Sequence, residues 1–438
     1  MSYTVKDILQ MEVAPALGCT EPTAVALGAA TAMSILHNKE IDAIEVVVDA
    51  NVYKNGFAVS IPGAEKHTGI DVAAALGAFG GDATRKLEVL DSVNPENLRQ
   101  AVAFVKAGKV KIELKEGQIG IYIHTRIKAG DETAESLIEN THDNITSMMR
   151  NGKELPCASL LRSVKESRLA ISELEDWLKT RTLDQLLALL GDLDTEDLAF
   201  LKQGVETNLR LAEYGLLHGS GLAVGSTLNQ LMREGMLKKD IILSAKMLTS
   251  AASDARMSGV KLPAMSSAGS GNHGLTAILP IWAVKDYLVC TEDEALRAIA
   301  LSHIITGYIK AFTGRLTAVC GCSIAAGAGA TAGITYLMGG NVKHIAGAIK
   351  NIIGDLAGVI CDGAKAGCAM KLSTAAGTAV QAALFSLRGI TIQSTDGIVG
   401  SSGEQTMKNV GQLSTQGMIA ADHTILNIMV NKKFDVGD

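Results

Sequence analysis

The stretch that organises this chain is residues 316–370. It holds Cys320-Gly321-Cys322, then a long uncharged Ala/Gly run, then Cys361-Asp-Gly-Ala-Lys-Ala-Gly-Cys368. Four of the seven cysteines of the 438-residue chain lie here, each beside or near a glycine. Thiolates on glycine-rich backbone, in a chain without a recognisable secretory signal, are typical metal or cluster ligands. The rest of the chain is therefore expected to supply a pocket for what these cysteines hold.

The uncharged run within this stretch predicts a buried helix. Residues 316–342 carry no charge, and the run is longer than the ~20 residues that a bilayer requires. It is rich in Ala, Gly, Ser and Thr, however, and lacks the Leu, Ile and Phe content and the flanking aromatics of a membrane span. We therefore expect a helix in the core of a large soluble protein and no membrane association.

The composition agrees with such a core and excludes several classes of function. Hydrophobic residues make up 47% of the chain and aromatics only 4%, with 45 glycines, so closely packed helices are expected. The formal charge is −6 and no Lys/Arg-rich run is present, which argues against nucleic-acid binding. The N-terminus has no apolar signal segment, so we expect a cytoplasmic protein. An odd number of cysteines in a reducing compartment disfavours disulfides.

The patterns predict the α+β fold class, with two domains. In residues 1–155 we predict strands at 44–50 and 57–61 joined by a turn at Tyr53-Lys-Asn-Gly56, a helix at 69–79, and a hairpin of 110–114 with 119–127 around Glu116-Gly117. Two further strand-like runs end near residue 152. From residue 159 onward the strand signals disappear and helical periodicity takes over. Residues 156–438 are therefore predicted to form a large all-helical domain that carries the cysteine stretch.

The spacing of the cysteines predicts a loop but does not name a metal. In an unbroken helix, Cys361 and Cys368 would lie roughly 10 Å apart along the axis. Gly363 and Gly367 favour a tight loop that brings the two sulfurs together. Soft thiolates select zinc, copper(I) or iron–sulfur clusters. Buried, inert cysteines are the alternative, because they are common in Ala-rich cores.

A second motif, Pro15-Ala-Leu-Gly-Cys19-Thr-Glu-Pro22, places a cysteine at a predicted helix start. Thr20 is predicted as the cap and Pro22 as a first-turn proline. The positive end of the helix dipole is expected to lower the pKa of Cys19, as in a reactive thiolate. A plain helix break with an incidental cysteine is the alternative.

A third region combines Ser250-Ala-Ala-Ser-Asp-Ala-Arg256 with Ser266-Ser-Ala-Gly-Ser-Gly-Asn272-His273. A loop of small and hydroxylated residues can bind a carboxylate or phosphate through its N–H groups. An ordinary Gly-rich helix connection is the alternative. The histidines at 37, 124, 142, 344 and 423 have no partners at motif distance and are expected to be surface or satisfied residues.

Together these motifs resemble the L-cysteine desulfidase family, which is related to the iron–sulfur-dependent L-serine dehydratases. The resemblance rests on the Cys19 motif, Lys54-Asn-Gly, the Ser250 and Ser266 stretches and Ile360-Cys-Asp-Gly-Ala…Cys-Ala-Met-Lys371, which occur in the family's order over nearly the whole chain.

The resemblance implies an oxygen-sensitive [4Fe–4S] cluster held by three cysteines, with one iron left free for substrate. Cys361 and Cys368 match two ligands; Cys320 or Cys322 is the third, and the residues before Cys320 fit better. Cys19 falls at the position proposed as catalytic base or reactive thiol. The further site residues are Lys54 and His273, as catalytic groups, and Thr20, Glu21, Asn55, Arg256, Ser267, Ser270 and Asn272, as substrate-binding groups.

The implied reaction is elimination of L-cysteine to pyruvate, ammonia and hydrogen sulfide. Gly-Cys-Thr-Glu stands where the serine dehydratases have a Ser-Ser-His-Thr stretch, which suits a thiol substrate better than a hydroxyl one. The alternatives are an L-serine or L-threonine dehydratase with the same cluster, and a non-catalytic metal-binding or redox-sensing protein. We expect a small amino-acid substrate and a homo-oligomer, most simply a dimer.

Overall fold

The computed structural model describes residues 3–37, 40–64, 67–115, 117–118, 120–155, 162–314 and 317–432. In the helix that starts at Arg162, side chains are described only from residue 171 onward. Leu316, the first residue of the cysteine stretch, and Glu116 and Ile119 of the predicted hairpin lie outside the described residues.

The N-terminal part combines helices with a mixed six-stranded sheet, as predicted. Its elements are α1 Val5–Glu12, β1 Pro15–Leu17, α2 Thr20–Ser34, β2 Ala43–Val48, α3 Ala50–Gly56, α4 Ile70–Gly80, α5 Pro95–Lys106, β3 Val110–Leu114, β4 Tyr122–Ala129, β5 Glu132–Glu139, β6 Ile145–Arg150 and β7 Lys153–Glu154. The strand order is β3-β2-β4-β5-β6-β7. The β2–β3 pair is parallel and the other neighbours are antiparallel.

Three local predictions in this part were wrong. The Tyr53–Gly56 segment lies in helix α3 and not in a turn, because Asp49 caps the helix by accepting the backbone N–H groups of Asn51 and Val52 at 2.8 and 3.2 Å. Such a cap outweighs the turn preference of Asn-Gly. Residues 57–61 form no strand beyond an isolated bridge at Ser60. Strands β3 and β4 do not form a hairpin, because β2 lies between them.

The C-terminal part is largely helical, which confirms the predicted fold class. Its helices are α6 Arg162–Lys179, α7 Leu183–Ala188, α8 Thr195–His218, α9 Val224–Arg233, α10 Ile241–Met257, α11 Gly271–Lys285, α12 Glu292–Thr313, α13 Gly327–Leu337, α14 Val342–Leu356, α15 Cys368–Leu387, α16 Gly403–Gln412 and α17 Ile419–Val430. The one strand described here, β8 Pro263–Met265, pairs antiparallel with β1. Helix α11 begins inside the segment that was expected to be a loop.

The two parts have separate apolar cores, but the chain does not divide simply between them. One core joins α2, α4 and α5 to the sheet. The other joins α7, α8 and α10–α16, and it also includes Val5, Ile8 and Leu9 of α1. The predicted boundary adjoins residues 156–161, which are outside the described ones, and the division at residue 155 stays a prediction.

The uncharged run is a buried helix, as predicted. A π-helical turn, Cys322–Ala326, leads directly into α13, and residues 323–335 are buried without exception. None of the described helices is long and apolar enough to cross a membrane.

Glycines allow the helices to cross at very short distance, and this predicts a stability effect. A Cβ on Gly215 of α8 would lie 2.0 Å from the backbone O of Ala251 in α10. Gly215→Ala must therefore push α8 and α10 apart, and overpacking of this kind costs about 1–3 kcal/mol. We expect a lower midpoint of thermal unfolding by circular dichroism. Gly191→Ala is the control, since nothing lies within 4 Å of its added Cβ; equal midpoints for the two variants would contradict the packing argument.

Candidate functional site

A cavity of about 480 Å³ gathers nearly all of the predicted site residues. Those that line it are Cys19, Thr20, Glu21, Lys54, Asn55, Arg256, Ser270, Asn272, His273, Cys320, Cys322, Cys361 and Cys368. Ser267 does not line it; this fully buried residue hydrogen-bonds through Oγ to Nδ1 of His303 at 2.8 Å. A larger hollow of about 830 Å³, between α2 and α4, contains none of the predicted residues.

Two of the cysteines stand on adjacent antiparallel segments. Val319 and Ile360 form an isolated bridge. On either side of it, Cys320 N donates to Val359 O at 2.9 Å and Cys361 N donates to Ala318 O at 2.6 Å. Backbone pairing thus fixes these cysteines side by side on one wall of the cavity.

The segment from Cys361 to Cys368 is a loop, as its glycines predicted, and α15 begins at Cys368. Gly363 has φ +91°, and a Cβ there would lie 2.0 Å from the backbone O of Lys54. Ala364 N donates to Oδ1 of Asn55 at 3.1 Å. Helix α3 therefore presses directly on the cysteine loop, and only glycine fits at the contact.

Buried and half-buried lysines surround this loop. Lys371 Nζ lies 2.8 Å from Ile360 O and 2.5 Å from Asp362 Oδ1, and Lys365 also pairs with Asp362. Lys54 is 2% exposed and its Nζ lies 2.5 Å from Asp422 of α17. Lys310 of α12 is buried and lines the cavity as well. Lys310 was not predicted as a site residue, because no motif surrounds it in the sequence.

The cysteines differ in how readily they ionise. Hydrogen bonding from the Cys322 thiol and from Ser323 lowers the pKa of Cys320 to about 6. The Cys320 partner and burial raise the pKa of Cys322 well above its ordinary value. Burial raises the pKa of Cys368 to about 11 and also raises that of Cys361, against the nearby lysines. Of the Cys320–Cys322 pair, Cys320 is the better thiolate donor.

The donor set is compatible with an iron–sulfur group. Among the described residues, no three Cys, His, Asp or Glu side chains form a site for one metal ion. Iron–sulfur clusters are held by cysteine thiolates. Four thiols face one cavity, and the charges of Cys320, Cys361 and Cys368 influence one another. Soft sulfur donors beside lysines suit such a group.

Cys19 lies opposite the cysteine loop at the start of α2. It occupies the N-cap position, and Ala364 and Cys368 pack against the small apolar cluster of Cys19, Val59 and Met257. Burial, followed by the charge of Glu21, raises the pKa of Cys19 well above its ordinary value. The expectation of a lowered pKa was wrong, because desolvation outweighs the helix N-terminus in this structure.

Glu21 connects Cys19 to a histidine that the sequence analysis passed over. Cys19 Sγ donates to Oε2 of Glu21 at 3.0 Å, and Thr20 Oγ1 donates to the same oxygen at 3.0 Å. His142 Nε2 lies 3.8 Å from Oε1 of Glu21. Burial acts against ionisation of Glu21, but the imidazole of His142 and the Cys19 thiol lower its pKa to about 2. No sequence signal joins Glu21 to a residue in the β5–β6 loop.

The segment before α11 forms the remaining wall. Arg256 Nη1 donates to Oδ1 of Asn272 at 3.0 Å and Nη2 to Gly18 O at 2.5 Å, so the guanidinium ties α11 to the Cys19 motif. The first-turn N–H groups of a helix have no intrahelical acceptors, and α11 begins with Gly271 beside the cavity. This end of α11 is suited to binding a carboxylate.

His273 packs against the cysteine wall. A Cβ on Gly321 would lie 2.4 Å from Nε2 of His273, so the imidazole and the glycine are in direct contact. Burial and the charge of Lys310 lower the pKa of His273 to about 3. The ring is therefore neutral near pH 7.

Comparison with known proteins gives a consistent result over nearly the whole chain. The family model described as serine dehydratase alpha chain matches residues 84–427. A UPF0597 protein of Desulfatibacillum aliphaticivorans is 60% identical over 99% of both chains. A UPF0597 protein of Desulfotalea psychrophila is 59% identical over 98% of both chains. A UPF0597 protein of Clostridioides difficile is 44% identical over 97% of this chain and 98% of its own.

The contact between α3 and the cysteine loop can be tested without any bound group. Asn55→Ala removes the acceptor of the Ala364 amide, and loss of such a bond costs about 0.5–1.5 kcal/mol. We expect hydrogen exchange in residues 361–368 to become about two- to tenfold faster, measured by mass spectrometry. Asn341→Ala, which removes the cap of α14, serves as the control. Unchanged exchange at Ala364 in the Asn55 variant would refute the proposed docking.

Proposed function

The chain belongs to the serine dehydratase alpha chain family, an iron–sulfur-dependent lyase-like family, and we propose that it is an L-cysteine desulfidase. The proposed reaction eliminates sulfide from L-cysteine and yields pyruvate and ammonia. The observation that carries the proposal is that Cys19 lines one cavity together with Cys320, Cys361 and Cys368.

Cys361, Cys368 and Cys320 would hold the [4Fe–4S] cluster. We choose Cys320 over Cys322 because its backbone pairs with the segment that carries Cys361. Bound there, the cluster supplies a Lewis acid that makes sulfide a better leaving group. Lys371 and Lys365 stabilise the negative charge of the thiolates.

The substrate carboxylate is proposed to bind at the start of α11. First-turn N–H groups attract an anion there, and Ser270 and Asn272 line the same place. Arg256 holds this wall against the Cys19 motif through its two donors. The ammonium group of Lys54 is paired with Asp422. The main contribution of Lys54 to the site is therefore the contact of its backbone with Gly363.

Cys19 is proposed as the base that takes the α-proton, once its own thiol proton has passed to Glu21, to which it donates. As the proton moves from Cα to Sγ, the C–H electron pair forms the Cα–Cβ double bond and the C–S pair leaves with sulfur. The aminoacrylate product then tautomerises and hydrolyses to pyruvate and ammonia. His273 is neutral, so any proton that it gives to sulfide must come from its neutral N–H.

L-Serine dehydration is the second candidate, and the family description favours it directly. The same proton abstraction would expel hydroxide in place of sulfide. A thiol at position 19, next to Glu21, is the local feature that supports cysteine as the substrate.

An anaerobic assay with both amino acids tests the proposal. We expect anaerobically purified protein to be brown, to contain iron and sulfide, and to release hydrogen sulfide from L-cysteine with a higher kcat/KM than pyruvate from L-serine. The measurements are iron analysis, the absorption spectrum, and sulfide and pyruvate determination. Colourless, iron-free protein would disprove the cluster, and a preference for serine would replace desulfidase with dehydratase.

A separate variant tests the role of Cys19. Cys19→Ser leaves the proposed ligands in place but removes the base, and general bases contribute about 10²–10⁴-fold to rate. We expect unchanged iron content and a loss of kcat of at least about a hundredfold. Cys290→Ser is the matched control, since Cys290 lies between α11 and α12 and does not line the cavity. Wild-type turnover by the Cys19 variant would remove Cys19 from the mechanism.

A further inference from the structure

We propose that Glu21 and His142 form the path along which the proton taken by Cys19 leaves the site. This inference rests on the proposed function, because it assumes that Cys19 takes the α-proton of an amino acid. It assigns positioning and proton-transfer roles to a carboxylate and an imidazole outside the cysteine wall.

The three groups become progressively more exposed in the order Cys19, Glu21 and His142. Cys19 is 4% exposed, and the side chains of Glu21 and His142 are 7% and 18% exposed. All three line the same cavity. Each carboxylate oxygen of Glu21 faces a different neighbour, Oε2 the Cys19 thiol and Oε1 the imidazole. A buried carboxylate between two proton-exchanging groups is the arrangement of a relay.

The geometry is supported from both sides. Thr20 Oγ1 donates to Oε2 of Glu21 and holds the carboxylate against the thiol. The loop that carries His142 begins at Asn140, whose φ is +76° and whose N–H donates to Ile121 O at 2.8 Å. It ends at Asn144, whose side chain donates to Glu139 O at 2.9 Å. Bonds at both ends therefore hold His142 near Glu21.

The gap between Glu21 and His142 is an ion-pair distance, longer than a hydrogen bond. His142 Nε2 has no hydrogen-bond partner in the structure, although it is buried and 3.8 Å from Oε1. A buried, unsatisfied nitrogen is costly, and catalytic hydrogen bonds often tighten only when substrate is bound. Closing this gap by less than an ångström completes the path.

The proton balance follows directly. Cys19 rests as a thiol that donates to Oε2 of Glu21, so its own proton passes to that oxygen as the sulfur takes the α-proton. The new S–H bond forms on Cys19 while the C–H pair moves into the Cα–Cβ bond. Oε1 of Glu21 then passes a proton to His142, and the imidazolium releases it to water or to the departing sulfide. Each turnover thereby restores the Cys19 thiol and the Glu21 carboxylate.

The structure also offers a matched histidine–glutamate pair outside the cavity. His124 Nε2 lies 2.9 Å from Oε2 of Glu135, across β4 and β5 of the same sheet. Neither residue lines the cavity. Breaking this pair measures the structural cost of losing such a contact without any effect on Cys19.

The test uses anaerobic holoenzyme and two readouts. The variants are His142→Ala, His142→Gln, Glu21→Gln and the control His124→Gln. One readout is kcat and KM with L-cysteine and L-serine. The other is exchange of the α-hydrogen of L-alanine in D₂O by NMR, which reports proton abstraction without a leaving group.

We expect kcat and α-hydrogen exchange to fall about 10²-fold in the His142 and Glu21 variants, the lower end of the range for proton-transfer groups. KM should change less than threefold. Added imidazole should restore kcat and α-hydrogen exchange of His142→Ala in a saturable manner, but it should not restore those of Glu21→Gln. His124→Gln should behave as wild type. A purely structural role predicts no rescue by imidazole.

Three outcomes would overturn the inference. If both His142 variants exchange the α-hydrogen at the wild-type rate, His142 is not part of the proton path. If they lose rate and imidazole does not restore it, His142 has only a structural role. If the wild-type protein neither converts nor exchanges any amino acid, the proposed function fails and takes the proton path with it. Serine turnover in place of cysteine turnover corrects the substrate alone and leaves the path intact.

Discussion

The contact on which the site depends is the one between the backbone of Lys54 and Gly363. It brings a helix of the sheet-containing part against the loop that carries Cys361 and Cys368, at a distance that any side chain at residue 363 would prevent. The Asn55–Ala364 hydrogen bond fixes the register of the two segments, and Asp422 neutralises Lys54 from the last described helix. Three distant parts of the sequence thereby close one side of the cavity.

The opposite side is closed by a second junction of the same kind. The short β1–β8 pair joins the Cys19 motif to the segment before α11, and Arg256 spans them from α10. Cys19 and the cysteine loop therefore face each other because two junctions, far apart in sequence, hold the walls in place. The cavity is a property of how the two parts meet and belongs to neither alone.

Much of this could be predicted from sequence, for identifiable reasons. The buried helix at 327–337, the loop before Cys368 and the helix after Cys19 follow from glycines, alanines and a first-turn proline that act locally, although Cys19 and not the predicted Thr20 is the N-cap residue. The prediction of a turn at Tyr53–Gly56 was wrong, since Asp49 caps a helix there. His142 and Lys310 were missed because their proximity to the site depends on tertiary packing, which leaves no local pattern. The pKa of Cys19 was misjudged because burial is not visible in a motif.

The position of α1 has a consequence for how the protein is made. Its apolar residues Val5, Ile8 and Leu9 pack in the core of the C-terminal helices, next to α12. Ribosomes add about 5–20 residues per second, so α1 emerges roughly 15–60 seconds before α12 is available to cover it. The amphipathic first helix is thus an exposed apolar segment throughout most of synthesis. The core of the C-terminal helices therefore cannot bury α1 until α12 has been synthesised.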